Sequence, residues 1–220
     1  MAPYDIALPG SLPTLSMSCV KAALAAAKGF DSTIQPFFTF DRKHYFYPDL
    51  PAGYQVTQQT HPIARGGLLR LDAFDMLPHP LPQRAIRIVQ IQLEQDTAKT
   101  LDEDGTTRRC LIDYNRSGCG LLEIVMEPDL RTPWEAGAII KKVREILRAT
   151  NASDAQMEDG SLRCDVNISI RRAAPNTKGV RCEIKNINSI KMAQDAICTF
   201  AAVLSKVLCV RARLLEPSAL

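Results

Sequence analysis

The chain has 220 residues, of which 46% are hydrophobic and 23% charged, and its formal net charge is +3. This is the balance of an ordinary soluble globular protein with one good core or two small domains, so disorder is not the default reading. The mild positive charge permits a nucleic-acid partner without arguing for one. Seven cysteines with no C-x-x-C pair speak against a zinc framework or a secreted disulfide scaffold and fit a reducing compartment.

The opening MAPYDIALPG lacks the basic-then-apolar order of a secretory signal. Ala7–Ser16 reads as a turn-rich loop built on Pro9, Gly10 and Pro13, and the alanines of Val20–Phe30 suit a short helix stopped at Gly29. From Phe37 to Tyr47 aromatic and basic residues interleave before turns at Pro48 and Pro51. Asp41, Arg42, Lys43, Tyr45, Tyr47, Asp49, Tyr54 and Gln55 form a set suited to an anion or a stacked base. The same composition also describes an aromatic loop packed for stability.

Arg84–Leu93 is rich in β-branched residues and predicts a strand. Extended backbone puts Gln92, Glu94 and Asp96 on one face, and Gln95 on the other with Val89, Ile91 and Leu93. Carboxylates clustered near Lys99 suit a magnesium-bridged phosphate, because hard cations take oxygen ligands; a strand fraying into a charged loop gives the same letters. Leu121–Met126 predicts a second strand, stopped by Pro128. Glu123 lies there between Leu122 and Ile124, so a buried carboxylate needing a proton, a partner or a metal is one reading. A half-buried strand whose polar face holds Glu123 and Glu127 is the other.

Pro133–Ala149 predicts the clearest helix: Thr132 and Glu135 have capping-box spacing, and Pro133 sits where a missing N–H is harmless. Ile139, Ile140, Val143, Ile146 and Leu147 make an apolar face; Lys141, Lys142, Arg144 and Glu145 are expected on a solvated one. The alternations Leu162–Ile170 and Val180–Ile184 predict a hairpin turned at APNTKG, with Cys164 and Cys182 in a core. Its polar face gathers Arg163, Asp165 and Asn167 near Glu183 and Lys185, either a solvated surface or a site floor. A few helices with mostly antiparallel strands make the class α+β. No P-loop is present, and no apolar run reaches bilayer length, so no membrane insertion is expected; Ser205 and Lys206 break the longest candidate, Ile197–Val210.

Seven strings are more specific than their chemistry: LPGSLP (8–13), FDRKHYFYPDLPAGYQVTQ (40–58), LEQDTAK (93–99), DYNRSG (113–118), LLEIVMEPD (121–129), MEDGSLRCDVNISIR (157–171) and EIKNINS (183–189). In this order and spacing, from Asp5 to Ile197, the chain resembles the catalytic domain of the B subunit of the tRNA-dependent glutamyl/aspartyl amidotransferase. The resemblance implies a glutamine-synthetase-like cradle over residues 1–197, without the family's N-terminal segment. Residues 198–220 are expected to be an atypical tail, poorly ordered or artificially helical.

It further implies an ATP-dependent carbon–nitrogen ligase that uses ATP and Mg2+ to convert mischarged glutamyl-tRNA(Gln) or aspartyl-tRNA(Asn) through an acyl-phosphate. Ammonia would come from an A-type glutaminase subunit, with a small C- or F-type subunit as further partner. By that resemblance Lys43, Glu123, Arg163 and Asp165 are catalytic. Arg42, Tyr45, Tyr47, Asp49, Tyr54, Asn115, Arg116, Asn167 and Lys185 bind substrate. Glu123 matches a metal ligand; the second ligand position holds Gln95, with Glu94 beside it as the substitute. The LEQDTAKT wording resembles fungal mitochondrial members, which implies the matrix, with a bacterial-type cytoplasm second. A non-catalytic remnant that binds only the partner subunit is the alternative to an active ligase.

Overall fold

A computed structural model of the chain describes residues 2–73, 75, 83–102, 110–170 and 179–214; most of the expected APNTKG turn and the end of the expected tail lie outside this set. The side chains from 206 onward lie outside it too. The chain divides into two compact units. The first comprises Met1–Leu69, Ala85–Asp129 and Ala149–Ala152; the second comprises Arg70–Arg84, Leu130–Arg148 and Ser153–Leu220.

The first unit opens with a 3-10 turn at Pro3–Ile6 and then helix α1, Met17–Gly29. Its strands are β1 (Thr33–Ile34), β2 (Asp41–His44), β3 (Tyr54–Thr57), β4 (Ala64–Arg65), β5 (Leu68–Leu71), β6 (Arg84–Gln95), β7 (Lys99–Asp102), β8 (Cys110–Asp113) and β9 (Gly120–Met126). The largest sheet runs β1-β4-β6-β5, with β9 also paired to β6; β2–β3 and β7–β8 are separate antiparallel ribbons. Helix α1 buries Val20, Ala23, Ala26 and Ala27, whose small side chains allow close approach, and Phe30 just beyond its end is fully buried. Burying a ring of that size is worth about 2–3 kcal/mol, so truncating Phe30 would open a cavity in this core.

Strand β6 runs two residues past its predicted end and carries the centre of the sheet. Its apolar residues change parity, with Ile86 and Ile88 buried and then Ile91 and Leu93. A β-bulge absorbs the change. Ile88 pairs with Met126 and Gln90 with Val125, so Val89 is the extra residue, and it is 37% exposed rather than sharing the Ile91 face as expected.

The second unit holds α2 (Pro133–Ala149), β10 (Cys164–Ile168), β11 (Cys182–Ile187) and α3 (Ile190–Leu214). Helix α2 has the predicted bounds, and its capping box is made in both directions: Glu135 N–H donates to Thr132 Oγ1 at 3.2 Å, and Thr132 N–H to Glu135 Oε2 at 3.1 Å. Ile139, Ile140, Val143 and Leu147 are buried, whereas Ile146 is half-buried. The expected solvated face needs two corrections, the first being that Arg144 is half-buried. Lys142 is half-covered and donates to Asp75 Oδ2 at 3.0 Å and to the Arg70 carbonyl, because its long stem reaches a carboxylate beside the helix.

Strands β10 and β11 pair as the alternation predicts, with Asn167 opposite Glu183 and Ile168 opposite Cys182. The register shifts between Cys164 and Val166, where β11 carries an extra residue and Asn186 adopts a left-handed φ of +61°. Cys164, Val166, Cys182 and Ile184 are half-buried, and Ile168 and Ile187 are buried. Residues 198–214 of the expected atypical tail are helical, the second of the two forms expected for it, as the end of α3. With antiparallel pairing throughout the described strand pairs, the class is α+β.

Candidate functional site

The polar cluster of the first unit is a product of strand alternation. In the β6–β9 ladder Gln92 lies opposite Glu123 and Glu94 opposite Leu121, so Gln92, Glu94 and Glu123 share a face. In the β2–β3 ribbon Lys43 lies opposite Gln55 and Asp41 opposite Thr57, which puts Lys43, Gln55 and Thr57 together. Hydrogen bonds join the two faces. Gln55 Nε2 donates to Glu94 Oε2 at 3.3 Å, and the Thr57 hydroxyl donates to Glu94 Oε1.

Gln92, only 4% exposed, is the hub. Its Nε2 lies 2.9 Å from Glu94 Oε1 and 2.6 Å from Glu123 Oε2, so one neutral amide bridges two carboxyl groups. Gln90 Nε2 donates to Gln92 Oε1 at 2.5 Å, which fixes the direction of the bridging amide. Behind it Gln58 is fully buried, and its Oε1 accepts the main-chain N–H groups of Leu93 at 2.9 Å and Ile63 at 3.2 Å.

The electrostatics follow from this crowding. Partial loss of solvent around the carboxyl end and the neighbouring Glu94, by charge and by hydrogen bond, raise Glu123 from the usual carboxylate range to about 7; the Lys43 charge and the Gln92 amide pull it back down. The Tyr45 phenol is likewise raised, first by burial and then by Asp49, Glu94 and Asp96, so it stays a proton donor near neutral pH. Of the two readings left open for Glu123, its exposure fits the strand with a polar face rather than the buried carboxylate. Its side chain is exposed, because its apolar sequence neighbours point to the opposite face and leave this one open.

Two carboxylates, one exposed and one half-buried, with a buried hydroxyl and buried amides around them, offer the oxygen donors that a hard divalent cation takes. Among the described residues no group of three or more His, Cys, Asp or Glu side chains gathers, so a cation here would have only Glu94 and Glu123 as anionic donors. Gln95 points the other way: it pairs with Gly120, and its Nε2 donates to Asp5 Oδ1 at 3.0 Å.

The remaining first-unit residues have different surroundings, and in the β2–β3 ribbon Arg42 and Tyr54 alternate to the face opposite Lys43, Gln55 and Thr57. Arg42 stacks its guanidinium 4.5 Å from the centre of the Tyr54 ring, which also meets Tyr4 and His44. Lys43 Nζ is 5.8 Å from the Tyr45 ring centre, and Tyr47 is 66% exposed. The Asp49 carbonyl accepts the Ala98 N–H at 3.0 Å. Asn115 is exposed in a turn, where its N–H donates to Asp113.

Arg116 is held internally, 3.3 Å from Asp96 Oδ2 and donating to the Thr97 and Ala98 carbonyls. Asp96 lies just past the end of β6, where its carboxylate meets Arg116. Arg163, Asp165, Asn167 and Lys185 belong to the second unit. All four are exposed, and Lys185 stands 3.7 Å from Glu183. Sequence reasoning did not single out Thr57, Gln92 as a hub, or Asp5. The i, i+2 spacing of Gln90, Gln92 and Glu94 was the available signal for the hub.

Residues 1–208 match the family model for the GatB/GatE catalytic domain. The B subunit of the mitochondrial glutamyl-tRNA(Gln) amidotransferase of Laccaria bicolor is 52% identical over 198 residues, which is 90% of this chain and 36% of that protein. The B subunit of the aspartyl/glutamyl-tRNA(Asn/Gln) amidotransferase of Granulibacter bethesdensis is 47% identical over 193 residues, 88% of this chain and 38% of that one. Its counterpart in Neorickettsia sennetsu is 45% identical over 194 residues, again 88% and 38%. The chain thus spans less than two-fifths of the length of these relatives.

Proposed function

The chain belongs to the GatB/GatE catalytic-domain family, and from that premise we propose that it carries the phosphoryl-transfer site of an ATP-dependent tRNA amidotransferase. The observation that supports this most is the Glu94–Glu123 pair, bridged by Gln92 and faced by Lys43. In the proposed reaction a side-chain carboxylate oxygen of the mischarged aminoacyl-tRNA attacks the γ-phosphorus of ATP. The bond to the bridging oxygen breaks and ADP leaves with that electron pair. Ammonia then attacks the acyl carbon, phosphate departs, and the nitrogen loses a proton to give the amide.

Each role asks for positioning and charge rather than covalent participation by the protein. Glu94 and Glu123 would hold Mg2+, which when bound offsets phosphate charge. Lys43 supplies a cation on the same face, Tyr45 and Tyr47 offer an aromatic wall for a base, and Arg42 and Tyr54, stacked on the other face of the β2–β3 ribbon, are proposed to bind substrate from there. The same proposal includes a glutamine-synthetase-like cradle, a glutaminase subunit as ammonia source and a small third subunit. It also includes a mitochondrial location, in keeping with the name of the Laccaria bicolor relative. Arg163, Asp165, Asn167 and Lys185 are proposed to bind or activate substrate from the second unit.

The test supplies the chain with a glutaminase subunit, mischarged tRNA, ATP and glutamine, and follows phosphate release and amide formation. The proposal expects both, and expects Glu123→Ala to lower them at least about 100-fold, the scale of losing a preorganised electrostatic group. Partner binding without either product would instead favour a non-catalytic remnant.

A further inference from the structure

Gln95 sits beside Glu94 in sequence yet serves the opposite side of the strand. Moving it to the Glu94 face would need a one-residue slip of β6, which would expel Ile91 and Leu93 (0% and 3% exposed) from the core. On its own side Gln95 Nε2 donates to Asp5, a carboxylate only 6% exposed whose other oxygen accepts the Ala2 N–H at 2.5 Å. Gly118, at φ +77°, closes over the same group; a Cβ there would come within 2.3 Å of Asp5 Oδ1. The Gln95 carbonyl, meanwhile, accepts Gln55 Nε2 at 2.9 Å, and that same amide donates to Glu94 Oε2. The side chain of Gln95 is therefore tied to the N-terminal turn, and its backbone to the amide that steadies Glu94.

We infer that Asp5 and Gln95 are a positioning pair, an amide–carboxylate contact that fixes the end of β6 from which Glu94 projects. The inference rests on reading Glu94 and Glu123 as the cation-holding pair. The contact requires one amide and one carboxylate, since two carboxylates at that separation repel. The roles are exchangeable: an asparagine at position 5 keeps an oxygen for Ala2 N–H and offers Nδ2 to a carboxylate at position 95.

The test measures Mn2+ affinity of the 220-residue chain by electron paramagnetic resonance, alongside thermal unfolding. Gln95→Glu and Gln95→Leu are expected to weaken Mn2+ binding about tenfold, the usual scale for removing an outer-shell support. Asp5→Asn/Gln95→Glu is expected to restore both affinity and melting temperature. Tighter Mn2+ binding in Gln95→Glu, whichever residue stands at position 5, would make Gln95 a ligand position and overturn the pair. Unchanged affinity in Gln95→Leu, with Glu123→Gln impaired, would overturn the pair alone. Unchanged affinity in Glu123→Gln would overturn the cation-site reading first, and the pair with it.

Discussion

Glu135 and Glu123 both occur among apolar sequence neighbours, and the fold gives them opposite surroundings. Glu135 is fully buried with its oxygens supplied: Arg84 Nε at 2.9 Å on Oε1, and the N–H groups of Arg131 at 2.6 Å and Thr132 at 3.1 Å on Oε2. Glu123 is exposed, crowded by a second carboxylate and held by one amide. A buried charge with donors on both of its oxygens is a structural fixture. A carboxylate kept near another on an open face is poised for something the chain itself does not provide.

The largest effect should come from the first of the two. Glu135→Ala removes a buried ion-pair partner and the helix cap together, and a loss of about 3 kcal/mol in chemical denaturation is expected. Glu123→Ala should change stability by less than about 0.5 kcal/mol, as an exposed position does. Equal losses in the two variants would erase the distinction.

A smaller effect separates them by pH. Glu123 binds its proton more tightly in the folded chain, at about 7, than its ordinary value of 4.5. The folded form thus holds more protons between those values, so this contribution is complete below about pH 4.5 and is lost as pH rises through 7. Because the side chain is exposed, solvent screening holds the effect below about 1 kcal/mol. Glu123→Gln should abolish it, as melting curves from pH 4.5 to 8 would show. The smallest effect is that of Lys141→Ala: its 4.0 Å pair with Glu145 is exposed on both sides, and less than about 0.5 kcal/mol should be lost.

What could be read from the sequence follows the range of each interaction. Helix α2 was legible to the residue, because Thr132, Pro133 and Glu135 write its start locally. The β10–β11 hairpin was legible from alternation, although the bulge at Asn186 was not, since a left-handed residue leaves the pattern of letters unchanged. Alternation also separated Glu94 from Gln95. It misplaced Val89, whose bulge depends on the register with β9, and it did not say which side of Glu123 was open. Lys142 looked solvated because its partner Asp75 is 67 residues away. Gln55, Thr57 and Asp5 reach Glu94 and Gln95 across 37 to 90 residues, a distance no local pattern spans.

The central claim is that Glu94 and Glu123 together await a divalent cation. It is tested most directly by the proton balance of Mg2+ binding, measured by calorimetry at pH 6.5 in two buffers of different ionisation enthalpy. With Glu123 raised to about 7, Mg2+ should displace a proton from the wild-type pair and none from Glu123→Gln. Mg2+ binding without proton release, or release that persists unchanged in Glu123→Gln, would contradict the account.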